Sequence, residues 1–147
     1  ETKSKVKMDP LLKKMNWKDG MKIKIWNLPS ELEKLEQEWM AAGYLASANE
    51  KAAFLLAFVK SQEEIERVFP EMEKLAQEDE LLWMAYPKGS SKRYQVKINR
   101  DSGWGILGKY DFEGVRQIAI NEDWSALRFR NTKFIKTLTR KFSTKDQ

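Results

Sequence analysis

The stretch that decides the fold is Ala52-Ala53-Phe54-Leu55-Leu56-Ala57-Phe58-Val59-Lys60-Ser61-Gln62-Glu63-Glu64. Residues 52–59 are apolar without interruption, as a strand covered on both faces requires. Lys60 ends the run. Ser61, with Glu64 three residues on, is a capping box that opens a helix. Ile65, Val68, Phe69, Met72, Leu75 and Ala76 then recur at helical spacing. Pro70 inside that pattern predicts a kink or a broken turn.

The same unit appears on either side. Upstream, Met21 to Asn27 alternates and is rich in β-branched and aromatic residues, which predicts a strand. Ser30 and Glu33 then form a second capping box, with Leu32, Leu35, Trp39 and Met40 at helical spacing and Gly43 as a stop. Downstream, Leu81 to Tyr86 reads as another buried strand, stopped by Pro87-Lys88-Gly89. Tyr94, Val96 and Ile98 alternate and suggest an extended stretch, and Asp101 or Ser102 is placed to cap a short helix holding Trp104, Ile106 and Leu107. Val115 to Ile120, the turn Asn121-Glu122-Asp123 and Trp124 to Arg130 read as a hairpin. Alternating strands and helices predict an α/β fold: a three-layer, Rossmann-like, mostly parallel sheet with a C-terminal antiparallel hairpin.

The 147 residues carry a net charge of +5, with 41% apolar and 33% charged residues, six Trp and seven Phe. That suits one domain with a substantial core. The charge sits at the ends. Residues 1–16 hold five lysines against Glu1 and Asp9, a net of +3, and residues 131–147 carry +4. The 114 residues between sum to −2. The expected layout is a basic N-terminal tail (1–16), an α/β domain (17–130) and a basic C-terminal extension (131–147). In that extension, Phe134, Leu138 and Phe142 fit either a docked amphipathic helix or a partly ordered tail. Nucleic acid is therefore not the expected partner, and weak binding through the tails is the residual form of that reading.

There is no cysteine and no histidine. Disulfides, thiolate zinc sites, cysteine nucleophiles and the Ser-His-Asp arrangement are excluded. The longest apolar run is too short to span a bilayer. A membrane is not expected, and the cytoplasm is.

The run Leu82-Trp83-Met84-Ala85-Tyr86-Pro87-Lys88 resembles the signature of an uncharacterised bacterial family, the domain of unknown function 3052. Phe58-Val59-Lys60-Ser61, Val115 to Ile120 and Asp123-Trp124-Ser125-Ala126-Leu127-Arg128-Phe129-Arg130 fit the same pattern, so the likeness runs from about Leu12 to Arg130. The family's layout is similar to a shortened Rossmann-type methyltransferase domain. It implies no particular biochemistry.

In open α/β sheets, ligands bind beyond the carboxyl ends of the strands. That edge is expected to collect Asn27, Lys60, Ser61, Lys88, Lys92, Arg93, Asp123, Trp124 and Ser125. Five basic residues and no acid lie between Lys88 and Arg100, which suggests an anionic ligand. Trp124 either stacks on that ligand beside Ser125 or locks the hairpin over the core. Arg128 and Arg130 share one sheet face and are expected to pair with helix carboxylates.

No cofactor is expected. The turn Asn27-Leu28-Pro29-Ser30 has no glycine to let a cofactor backbone approach. Gly103-Trp104-Gly105-Ile106-Leu107-Gly108 matches a dinucleotide pattern only formally, because it does not follow a strand. No metal site is expected: Glu63, Glu64 and Glu66 suit a helix start, and Asp111/Glu113 and Glu122/Asp123 read as turn residues. The expected function is a non-catalytic binding or interaction domain. The alternative is a diverged small transferase of the S-adenosylmethionine class, with Lys88 and Asp123 as its polar centre.

Overall fold

The computed structural model describes residues 9–135. Three strands, β1 (Ile23–Trp26), β2 (Phe54–Phe58) and β3 (Leu81–Pro87), run parallel. Two more, β4 (Phe112–Ala119) and β5 (Trp124–Asn131), follow one another and pair antiparallel. The sheet order is β1-β2-β3-β5-β4, so β5 inserts between β3 and β4 and is antiparallel to both. β4 thus runs the same way as β3 and carries the outer edge. The result is an α/β protein with a five-stranded mixed sheet.

Among the described residues, four α-helices accompany it: α1 (Pro10–Lys14), α2 (Glu33–Ala41), α3 (Gln62–Leu75) and α4 (Gly105–Lys109). Strand alternation divides the core into two. Leu55, Ala57 and Val59 of the β2 run join Leu82, Met84, Tyr86, Leu127 and Phe129 against Ile65, Val68, Phe69 and Met72 of α3 and Leu107 of α4. Phe54, Leu56 and Phe58 join Trp83, Ala85, Trp124 and Ala126 against Leu12 of α1 and Trp39 of α2. β2 is buried at every position, as its unbroken apolar run requires.

The Ser61 cap forms. Its hydroxyl accepts the Glu64 N–H (3.1 Å), and the Glu64 carboxylate accepts the Lys60 N–H (2.7 Å). α3 runs continuously through Pro70, so the broken turn expected there is absent. The Ser30 box does not form: Ser30–Leu32 is a 3₁₀ turn and α2 begins at Glu33 without a side-chain cap. The tight turn after β1 explains this. Asn27 takes a left-handed conformation (φ +59°) and Pro29 precedes the 3₁₀ turn, leaving Ser30 inside it rather than ahead of it.

Other expectations change as well. Residues 10–16 are not a tail: the Asp9 carboxylate caps α1, and its second oxygen accepts the Trp39 indole N–H (3.0 Å), while Leu12 and Met15 are fully buried. The folded part therefore starts no later than Asp9. At the other end, β5 runs to Asn131 and a 3₁₀ turn follows over Thr132–Phe134. Leu138 and Phe142 lie outside the described residues. Tyr94, Val96 and Ile98 form no strand. They wrap around the sheet's carboxyl edge, with Tyr94 packing on the α1/α2 core and the other two on the α3 core. α4 begins after Trp104, and Asp101 and Ser102 belong instead to the Asn99–Ser102 turn. Glu113 is a buried β4 residue, not a turn residue.

Candidate functional site

The carboxyl ends of β1, β2 and β3 share an edge with the β4–β5 turn. Trp124 stands opposite Pro87 in register, and the Lys88 N–H donates to the Asp123 carbonyl (2.8 Å). Asn121 builds the turn: its side-chain oxygen accepts the N–H groups of Asp123 and Trp124. The edge then divides into two unlike regions.

The first is a closed polar clasp. Trp124 is 1% exposed and meets Phe58 and Tyr94 edge-on, each at 5.1 Å between ring centres. Its indole N–H donates to Glu31 Oε2 (3.2 Å), which also accepts the Tyr94 hydroxyl (2.5 Å). Ser91 donates its hydroxyl to Asp123 Oδ1 (2.8 Å) and accepts the N–H groups of Arg93 and Tyr94. Arg93 Nε lies 3.6 Å from Asp123 and 3.9 Å from Glu31. The chain from Ser91 to Tyr94 is thus strapped to the β4–β5 turn on one side and to the 3₁₀ turn before α2 on the other. Burial alone would raise the Glu31 pKa. The hydrogen bonds from Tyr94 and Trp124, with the Arg93 charge, outweigh it and hold the carboxyl below its ordinary value. Burial first, and then the hydrogen bond to charged Glu31, push the Tyr94 hydroxyl up to about 12.

The second region is open. A cleft of about 460 Å³ lies between Lys60-Ser61-Gln62-Glu63 and the loop segments Gln95–Ile98 and Ser102–Gly103. A neighbouring cleft of about 410 Å³ is lined by Lys88, Gly89, Ser91, Tyr94 and again Gln95, Val96 and Lys97. Gly103 shapes the wall of the first: it takes φ +104°, and a Cβ there would lie 2.7 Å from Ile98 Cγ2. That requirement accounts for the first glycine of the formal dinucleotide pattern without any ligand. Lys60 Nζ sits 5.5 Å above the Tyr94 ring, which joins the two regions. Among the described residues, Lys60, Lys88, Lys92 and Lys97 have no carboxylate within ion-pair distance. The N–H groups of Gln62 and Glu63, at the start of the 14-residue α3, have no acceptor among them either.

The nine residues expected at this edge therefore have different roles. Lys60 and Ser61 line the first cleft and Lys88 the second. Asn27 and Lys92 are exposed and line neither. Arg93 and Asp123 are committed to the clasp, and Trp124 is its buried floor, so it offers no ring face for stacking. Ser125 does not share a sheet face with Trp124. Adjacent strand residues face opposite ways, and Ser125 stands opposite Tyr86 on the α3 side. One residue that organises the edge, Glu31, was not expected there. Lys97, one of the five cations between Lys88 and Arg100, lines both clefts.

No protein-family model matches the chain, and no curated protein matches it. Among solved structures it is similar to a protein in the NADB-Rossmann superfamily from Streptococcus agalactiae, at 12% identity and a TM-score of 0.43. The likeness covers 82% of this chain and 55% of that one, so the chain spans about half its length. The fold class rests on the sheet order itself: an α/β domain whose mixed sheet carries a cationic cleft at its carboxyl edge. The resemblance to the domain of unknown function 3052 gains no further support from these comparisons. No described helix is long and apolar enough to cross a membrane.

Proposed function

We propose that the protein is a non-catalytic binding domain that takes a phosphate-bearing or similar small anion in the cleft between the start of α3 and the Gln95–Gly103 loop. The carrying observation is the set of lysines without carboxylate partners, Lys60, Lys88 and Lys97, along two clefts that share Gln95, Val96 and Lys97. The free amides of Gln62 and Glu63 add donors at the positive end of a helix. The apolar faces on both sides of the sheet support a three-layer, Rossmann-like reading with a closing antiparallel hairpin. The family likeness read from Leu82 to Lys88 and Asp123 to Arg130 belongs to this proposal, as does a cytoplasmic setting.

The transferase reading needs Asp123 as a reactive group. Its carboxylate is instead held by Ser91 and Arg93, which speaks against that role. A titration with inorganic phosphate and with nucleotides, followed through backbone amide resonances, tests the proposal. Shifts confined to Lys60–Glu63 and Gln95–Gly103, and weakened at least about fivefold by Lys60→Ala with Lys97→Ala, support it. S-adenosylmethionine stabilising the wild type but not Lys88→Ala would establish the transferase alternative in its place.

A further inference from the structure

A second cationic group lies on the other side of the fold, on the sheet face that α1 covers. Arg116 of β4 and Arg128 of β5 stand directly opposite one another in register, on the same face as Trp83. Like charges in this arrangement repel. Here they are also poorly compensated. Arg116 Nη1 donates to the Asn16 side-chain oxygen (3.1 Å), a neutral acceptor. Arg128 is half-buried, and its Nε is shielded from solvent without any hydrogen-bond partner. Neither arginine has a carboxylate within ion-pair distance among the described residues.

The acids that face this group are already placed. Asp79 takes Arg130 through both oxygens, at 2.7 to 3.2 Å. Glu113 is buried opposite Arg130 rather than Arg128. Asp9, the acid at the start of α1, is consumed by the Leu11 and Leu12 amides and the Trp39 indole. The helix carboxylates expected to neutralise Arg128 therefore do not reach it. Lys14 lies further along β4, where its ammonium donates to the Ala119 carbonyl (2.8 Å). Burial, and then the charges of Arg130 and Arg116, pull the Arg128 guanidinium below its ordinary value, and the Asp79 charge, which lies beyond ion-pair distance, offsets this only in part. A fold that sets a half-buried guanidinium with an orphaned Nε directly opposite an exposed one, with no carboxylate paired to either among the described residues, has the character of a site awaiting an anion.

We infer that Arg116 and Arg128, with Asn16 beside Arg116, form an oxyanion site for a phosphoryl group on the α1 face of the β4–β5 pair. The forked donors of two arginines suit the tetrahedral oxygens of phosphate better than a halide or a single carboxylate. The site rests on different residues from the cleft at α3 and stands whether or not that cleft binds anything.

Inorganic phosphate is the probe, added to the full chain while the side-chain Nε–H resonances of Arg116 and Arg128 are followed. The expected result is a saturable shift of both, with affinity falling at least about tenfold in Arg116→Gln, which changes an exposed side chain and leaves the core intact. Arg128→Lys is the second variant. It keeps the charge, loses the fork, and is expected to weaken phosphate while leaving chloride without effect in either protein. Adenosine monophosphate in a parallel titration separates a bare phosphate site from one that reads an organic phosphate, through tighter binding of the latter. Lys60→Ala is expected to leave the Arg128 shift unchanged. The proposal is overturned if the two arginine resonances do not move with phosphate, or if they move equally in the wild type and Arg116→Gln.

Discussion

The clasp around Trp124 and the cleft beside it share one edge of the sheet, yet they treat charge in opposite ways. In the clasp, Glu31 and Asp123 each meet more than one donor, and Arg93 lies near both. In the cleft, only a few residues away, Lys60, Lys88 and Lys97 have no carboxylate partner among the described residues. Fully partnered polar groups rigidify a structure, whereas unpartnered cations at a concave surface are available to a ligand. The difference separates what holds the edge together from what the edge offers. Lys60, above the Tyr94 ring, is the point where the two touch.

Four changes would break or sharpen that contrast. Trp124→Ala removes the floor of the clasp from beneath Phe58 and Tyr94, and is expected to cost about 3–5 kcal/mol of stability in chemical denaturation. A loss under about 1 kcal/mol would mean the indole is not structural. Glu31→Gln takes away the shared acceptor and is expected to cost about 1–3 kcal/mol at neutral pH. The Glu31 carboxyl is depressed in the folded state, so its contribution is present above the unfolded pKa and lost as pH falls through the folded one. The gap between wild type and Glu31→Gln should therefore narrow below about pH 4.

Tyr94→Phe is smaller, about 1 kcal/mol, and its signature is alkaline. With the folded hydroxyl pushed up to about 12, its contribution is complete below the pKa of free tyrosine and disappears as pH rises toward that value. Denaturation midpoints measured between neutral and strongly alkaline pH should fall more steeply for the wild type than for Tyr94→Phe. Lys60→Ala should change stability least, within about 0.5 kcal/mol, while weakening anion binding. A large destabilisation there would make Lys60 part of the clasp rather than of the cleft.

Much of the scaffold was legible because it depends on local pattern. The Ala52 to Val59 run and the Ser61/Glu64 pair identify β2 and the start of α3 from residues close together in the chain. Asp9 shows what local pattern misses. Its partner Trp39 is thirty residues away, and the basic composition of residues 1–16 conceals that Leu12 and Met15 are core. The candidate edge was legible in location but not in division. Strand ends bring Lys60, Lys88 and Trp124 together by topology. Which of them are consumed depends on Glu31 and Tyr94, separated by 63 residues and joined only by the fold. Ser125 and Trp124 are neighbours in sequence, but strand alternation assigns them to opposite faces.

The central claim is that the clasp is structural and the cleft binds. Its most direct test follows the Trp124 indole N–H and the backbone amides of Gln62, Glu63 and Lys97 together during titration with inorganic phosphate. The account predicts that the three amides move and saturate together while the Trp124 signal stays fixed. A titration in which the Trp124 indole moves and the α3 amides do not would contradict it.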